Sequence, residues 1–178
     1  MNNIKVFEND LPDDLDLSNE KFIGLDNEAL GLVLGRDPLT LVQLGLESKN
    51  FYLIKLNRET YRAPNLVKVL SNNKTQFIMH YARQDLMWLK YHLNVKPKNI
   101  FCTKVASKIA RTASSFHGYK DLVKELCGKD ISKKEQQSDW GNPKLSNKQI
   151  SYAAQDTEYL FNIKKIFSIG CCIFNLFF

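Results

Sequence analysis

The sequence predicts an α/β fold in which a mixed five-stranded sheet is flanked by helices. Three observations carry this. Three strand-like runs follow one another across short turns, two further strand-like runs alternate with helix-patterned segments, and a capped helical pattern closes the chain.

Residues 1–20 form an acidic lead-in with turn chemistry at Leu11-Pro12-Asp13-Asp14, and they read as a loop feeding the first strand. That strand spans Lys21–Asn27. The second, Leu39–Leu44, follows the turn at Gly35-Arg36-Asp37-Pro38, and the third is Phe51–Leu56. Short connections make the three an antiparallel meander. Pro64 opens a short helix to Leu70, since proline suits a first helical position. Gln76–His80 is the fourth strand, Ala82–Leu93 a helix and Asn99–Cys102 the fifth strand. Helices follow at Lys104–Arg111 and Tyr119–Leu126, the latter stopped by Gly128 at its C-terminus. Ser146, with Gln149 three residues on, supplies a capping box for one long helix to about Phe167.

A chain of 178 residues is one domain with room for a core, and 44% hydrophobic with 25% charged residues excludes disorder. The net charge of +6 is unevenly spread. Residues 1–28 hold eight acids against Lys5 and Lys21, a net of −6, which leaves +12 on the remainder. Residues 101–134 hold eight bases against Asp121, Glu125 and Asp130, a net of +5, a flank suited to a polyanion. A solvated lysine-rich surface explains that charge equally well. Cys102, Cys127, Cys171 and Cys172 have no zinc spacing, and no signal peptide precedes them, so free thiols in a reducing cytoplasm are expected. Residues 21–167 are read as the folded domain and 168–178 as an atypical tail. The apolar run behind that tail, Ile166–Phe178, is thirteen residues long, and a helical membrane span needs about 20, so no membrane is expected.

Acids stand out against this frame. Asp26 and Glu28 are two apart at the end of an apolar run, so a strand sets both carboxylates on one face. Asp85 begins a helix after the fourth strand, and Tyr152 and Asp156 are four apart on one helix face. These positions meet at one edge of the sheet. Four carboxylates converging there cannot all be ionised near neutrality without cations between them, which points to two divalent ions, Mg²⁺ or Mn²⁺.

The same residues resemble the ribonuclease D-like branch of the DEDD 3′–5′ exonucleases, the branch with tyrosine in its third motif. Asp26-Asn27-Glu28-Ala29-Leu30-Gly31-Leu32 matches the first motif, His80-Tyr81-Ala82-Arg83-Gln84-Asp85 the second, and Tyr152-Ala153-Ala154-Gln155-Asp156 the third. Further similarity runs through Cys102–Ser107, His117–Leu122 and Ser138-Asp139-Trp140, so the resemblance covers residues 20 to 165. Asn27 and Gln84 depart from the residues common at their positions, but neither is a ligand. The tail after Phe167 departs too, and no helical RNA-binding domain follows.

The resemblance implies a ribonuclease H-like fold and two-metal hydrolysis from RNA 3′ ends, with a single-stranded 3′ end of tRNA or small RNA as partner. Asp26, Glu28, Asp85 and Asp156 would be the metal ligands. Asp26 would bridge both ions, Glu28 and Asp156 would complete the attacking-water side, and Asp85 the leaving-group side. Tyr152, whose ordinary pKa near 10 makes it a poor bulk base, would orient the water. Ala29, Leu30, Gly31 and Leu32 would border the terminal nucleotide, and His80, Lys104, Lys108 and Lys120 would contact substrate. Trp88 and Trp140 could stack on bases, with Trp88, on the helix after Asp85, reading rather as core. The alternatives are a nuclease acting on DNA or short oligonucleotides on the same fold, and an inactive nucleic-acid-binding module.

Overall fold

The computed structural model describes residues 3–174, with side chains through Ile169. Leu39–Gly45 (β3) and Asn50–Lys55 (β4) are apolar and buried along almost their whole length, as central strands covered on both faces must be. They pair antiparallel with each other, and β3 pairs antiparallel with Phe22–Ala29 (β2), so the expected meander is present. Gln76–Met79 (β5) lies parallel beside β2, and Ile100–Cys102 (β6) parallel beside β5.

A sixth strand, Asn3–Glu8 (β1), runs parallel to β4 at the far edge, giving the order β1-β4-β3-β2-β5-β6. The sheet therefore has six strands rather than five, and part of the lead-in expected as loop is strand. Its sequence, Asn-Ile-Lys-Val-Phe-Glu, is mostly exposed, so it lacks the apolar signal of its inner neighbours.

One face of the sheet carries Pro64–Leu70 (α1) and Arg83–Leu93 (α2), packed on Ile23, Leu25, Val42, Ile54 and Phe77. The other face is covered by Asn147–Glu158 (α5), whose Tyr152 and Ala153 join Leu41, Leu53, Trp140 and Leu145. Thr103–Ala110 (α3), Tyr119–Cys127 (α4) and Leu160–Phe174 (α6) meet around Leu122, Val123, Ile131, Ile163 and Phe167. Gly128 takes the left-handed conformation at φ 65° that ends α4, and the Ser146–Gln149 capping box is formed.

Two differences concern the last helix. It is divided at Tyr159 into α5 and α6, and α6 continues past Phe167 to Phe174. Phe167 is buried against Ile163, which explains why the helix does not stop there. Residues 175–178 of the expected tail lie outside the described residues. Among the described residues no helix is long and apolar enough to cross a membrane.

α5 reaches the sheet closely because Gly24 and Gly45 are register partners on β2 and β3. A Cβ at Gly24 would stand 3.1 Å from Thr157 O, and one at Gly45 would stand 2.5 Å from Thr157 Oγ1. The paired glycines form a notch into which Thr157 settles, and Asp156 is the residue before it.

Candidate active site

The C-terminal half of β2, the turn into α2, the N-terminus of α4 and the inner face of α5 enclose a cleft of about 900 Å³. Asp26, Glu28, Asp85, Tyr152 and Asp156 all line it, although they are spread over 131 positions from 26 to 156. Local structure accounts for each placement. Period-two alternation turns Asp26 and Glu28 toward α5, together with Gly24. Asp85 sits in the first turn of α2, where a carboxylate complements the helix dipole, and Asn27 Nδ2 donates to its carbonyl oxygen at 3.3 Å. Tyr152 and Asp156 are stacked one turn apart on α5, with Tyr152 wedged against the Trp140 ring at 6.0 Å between centroids.

The carboxyls perturb one another strongly. Burial raises Asp26 to about 7, and burial plus the charges of Asp26, Asp156 and Asp85 raises Glu28 to about 10. Burial and the Asp26 charge push Asp85 and Asp156 well above the usual carboxylate range. Asp26 and Asp85 face each other within hydrogen-bonding reach, which favours one proton shared between them. Tyr152 is raised by burial and by the Asp156 and Glu28 charges, and its hydroxyl in turn stabilises the ionised form of Asp156.

Among the described residues, no three acidic, histidine or cysteine side chains stand close enough to encage a single ion. The donor set still suits hard divalent cations. Mg²⁺ keeps several waters and takes only one or two protein carboxylates, so a pair of such ions needs a lined cleft rather than a closed cage. Gln43, the register partner of Asp26, is fully buried with both amide atoms unpartnered among the described residues, placing a further polar group beside that carboxylate.

His80, Ala29, Leu30, Gly31 and Leu32 line the cleft, as do Lys104 and Lys120. Lys108 does not. It is exposed on α3, outside the lining. The His80 tautomer can be deduced. Thr103 gives its hydroxyl proton to Met79 O at 3.2 Å, so His80 Nδ1–H donates to Thr103 Oγ1 at 2.9 Å and Nε2 is the bare acceptor. Burial and the neighbouring Lys104 and Lys133 hold its pKa down to about 4, and it is neutral at pH 7.

The loop from Leu30 to Pro38 is stitched shut. Leu30 N–H donates to Pro38 O at 3.0 Å, and the Asp37 carboxylate accepts from Val33 N–H at 2.9 Å and from Arg36 Nε–H at 2.6 Å. Those bonds hold Asp37 down to about 2. Leu32 is 82% exposed at the rim of this loop.

Sequence reasoning left several cleft residues without a role, Lys133 and Tyr81 among them. Lys133, on the segment before the 3₁₀ turn Lys134–Gln137, lies near enough to Asp156 and His80 to shift both. Tyr81 holds φ 60°, rare for an aromatic residue, and Lys104 Nζ lies 4.0 Å from its ring centroid. Neither position carries a pattern that periodicity or spacing could isolate. Trp140, expected as a stacking platform, lines the cleft but is 2% exposed and packs in the core with Leu41, Leu53 and Tyr152.

Comparison with known proteins agrees with this geometry. Residues 8–169 match the 3′–5′ exonuclease domain family. Ribonuclease D of Xanthomonas oryzae pv. oryzae is 32% identical over 161 residues, covering 86% of this chain and 42% of that protein. The chain thus spans less than half the length of that relative. Among solved structures, Brucella melitensis NrnC superposes with a TM-score of 0.88 at 38% identity over 93% of this chain and 80% of that one, and it has been solved with bound Mg²⁺ and bound to pGG. Escherichia coli RNase D, at 22% identity and a TM-score of 0.73 over 86% of this chain and 40% of that one, shares the fold, a mixed sheet flanked by helices. On the family match, the shared fold and the cleft of acids taken together, this chain belongs to the 3′–5′ exonuclease domain family, in its ribonuclease D-like branch.

Proposed function

We propose that the chain is a metal-dependent 3′–5′ exoribonuclease that hydrolyses phosphodiester bonds from RNA 3′ ends. The observation that carries this reading is the convergence of four mutually perturbed carboxyls and one tyrosine on a single cleft. Asp26, Glu28, Asp85 and Asp156 would hold two divalent cations, Mg²⁺ or Mn²⁺, Asp26 contributing to both. When bound, such ions supply an acidified water and neutralise charge on the departing 3′ oxygen. Tyr152, raised above its ordinary value, keeps its proton at neutral pH, so it orients the attacking water by hydrogen bonding rather than acting as the base. Lys104, Lys120 and Lys133 set positive charge along the wall where phosphates would lie. Neutral His80 presents Nε2 as an acceptor, which suits a hydroxyl or an N–H of substrate. Leu30, Gly31 and Leu32 form the rim that would border the terminal nucleotide.

The relatives named ribonuclease D support RNA as substrate, and we take the 3′ ends of tRNA and small RNA as the first reading. A second reading, short oligonucleotides, is favoured by the NrnC structure bound to pGG, which is similar over 93% of this chain and 79% of that one. Matched RNA and DNA strands and dinucleotides, labelled at the 5′ end, test both readings. The expected result is stepwise release of mononucleotides from RNA 3′ ends, stopped by a chelator and restored by Mg²⁺ or Mn²⁺. Faster turnover of dinucleotides than of long strands selects the short-oligonucleotide reading. Full activity in excess chelator refutes the metal-dependent mechanism.

A further inference from the structure

Tyr159 separates α5 from α6 at φ −97° and ψ 0°, yet neither proline nor glycine is present there to break the helix. The cause is a side chain from another element. In an unbroken helix Tyr159 N–H would donate to Gln155 O. Instead the Tyr119 hydroxyl stands between them, donating to Gln155 O at 3.0 Å and accepting from Tyr159 N–H at 3.2 Å. A polar group inserted into the backbone ladder is a recognised origin of a helix bend. Tyr119 is the first residue of α4, its ring packs 5.6 Å from His80, and it lines the cleft. The turn it splits open, 155–159, contains Asp156 and the Thr157 that seats in the Gly24–Gly45 notch.

We propose that Tyr119 is the positioning residue for Asp156. By replacing one backbone hydrogen bond with two bonds to its hydroxyl, it ties the last turn of α5 to α4 and sets where the Asp156 carboxylate stands relative to Asp26. The Gly24–Gly45 notch fixes the depth of α5 over the sheet, and Tyr119 fixes the direction of its last turn. Both are needed, because Asp156 sits between the two restraints. The proposal rests on the reading of Asp156 as a metal ligand.

The test is Tyr119→Phe, which keeps the ring and deletes the hydroxyl, with Asp156→Asn beside it. Mg²⁺ affinity is measured by calorimetry, and amide exchange is followed at Tyr159. Residues that orient metal ligands from behind typically contribute 10–100-fold to affinity, and a loss in that range is expected for Tyr119→Phe. Exchange at Tyr159 should change in the same variant, since its N–H either closes onto Gln155 O or opens to solvent. Mg²⁺ affinity within twofold of the parent, with the Tyr159 amide altered, overturns the proposal and makes Tyr119 a tether of the fold alone. If Asp156→Asn also leaves Mg²⁺ affinity unchanged, the fault lies in the assignment of Asp156 as a ligand; if it weakens Mg²⁺ binding while Tyr119→Phe does not, only the positioning role fails. Should Tyr119→Phe lose its near-ultraviolet circular dichroism, 3-fluorotyrosine at 119 replaces it, keeping ring and hydroxyl but weakening the hydroxyl as an acceptor. Weaker Mg²⁺ binding then supports positioning, and unchanged binding overturns it.

Discussion

A buried set of protonated carboxyls makes the stability of the protein fall as pH rises, and divalent cations should reverse that trend. Asp26 has a folded pKa of about 7 against an ordinary 3.8. Between those values the native state holds a proton that the unfolded chain has released, so each pH unit makes unfolding easier by ~1.4 kcal/mol for each such carboxyl. The stabilisation is complete below about pH 4 and is lost as pH climbs through 7, roughly 4 kcal/mol for Asp26 alone. Glu28 continues the same trend toward 10, and Asp85 and Asp156 act in the same direction. Cations that bind the ionised forms release the protons and remove the slope. The assay is urea denaturation from about pH 5 to 8, in chelator and in saturating Mg²⁺. In chelator the midpoint should fall steadily with pH, in Mg²⁺ it should stay nearly level, and the gap should widen toward alkaline pH. Asp26→Asn should flatten the chelator curve, since it removes one titrating group and the charge that raises the other three. A level curve in chelator, or one that Asp26→Asn leaves unchanged, refutes the reasoning.

Gly45→Ala places a methyl 2.5 Å from Thr157 Oγ1 and 2.9 Å from its Cβ, so α5 must lift. Overpacking of this kind costs ~1–3 kcal/mol, and a shift of about 1 Å at a reacting centre is worth ~10²-fold in rate. Melting temperature and kcat should both fall, and wild-type kcat in a destabilised variant would show that the height of α5 does not control turnover. Tyr152→Phe should leave Mg²⁺ affinity near wild type while lowering kcat by on the order of 10²–10⁴-fold. Asp26→Asn should abolish turnover and weaken Mg²⁺ binding in calorimetry. A folded, metal-bound and fully active Tyr152→Phe protein would reduce the tyrosine to a packing residue against Trp140.

The acids were legible in the sequence because their spacing is periodic. Asp26 and Glu28 obey the two-residue repeat of a strand, and Tyr152 and Asp156 the four-residue repeat of a helix, so each pair declares its own face. The meander was legible from its short turns, and the last helix start from Ser146 and Gln149. What escaped notice depends on tertiary contact. The break at Tyr159 is made by a hydroxyl 40 positions earlier in the chain, and nothing local to residues 155–159 reports it. Lys108 and Lys133 are both exposed lysines in the same basic stretch, and only the path of the chain after Gly128 carries Lys133 to the cleft and leaves Lys108 outside it. β1 reads as loop in the sequence because its mostly exposed residues carry no core-facing pattern.

That exposed strand has a consequence for the solubility of the protein. Phe51 to Ile54 of β4 are buried, and among the described residues the strand that covers the edge of β4 is β1, along Asn3–Glu8. Without β1, an apolar strand would show a row of free amide and carbonyl groups, the template on which sheets of separate molecules join. β1 takes that row for itself and presents Lys5 and Glu8 as exposed charges where a further strand would have to dock. Asn3–Glu8 therefore acts as a sacrificial border: substitutions that disrupt this strand should produce chains that associate edge to edge while the cleft on the far side of the sheet remains formed.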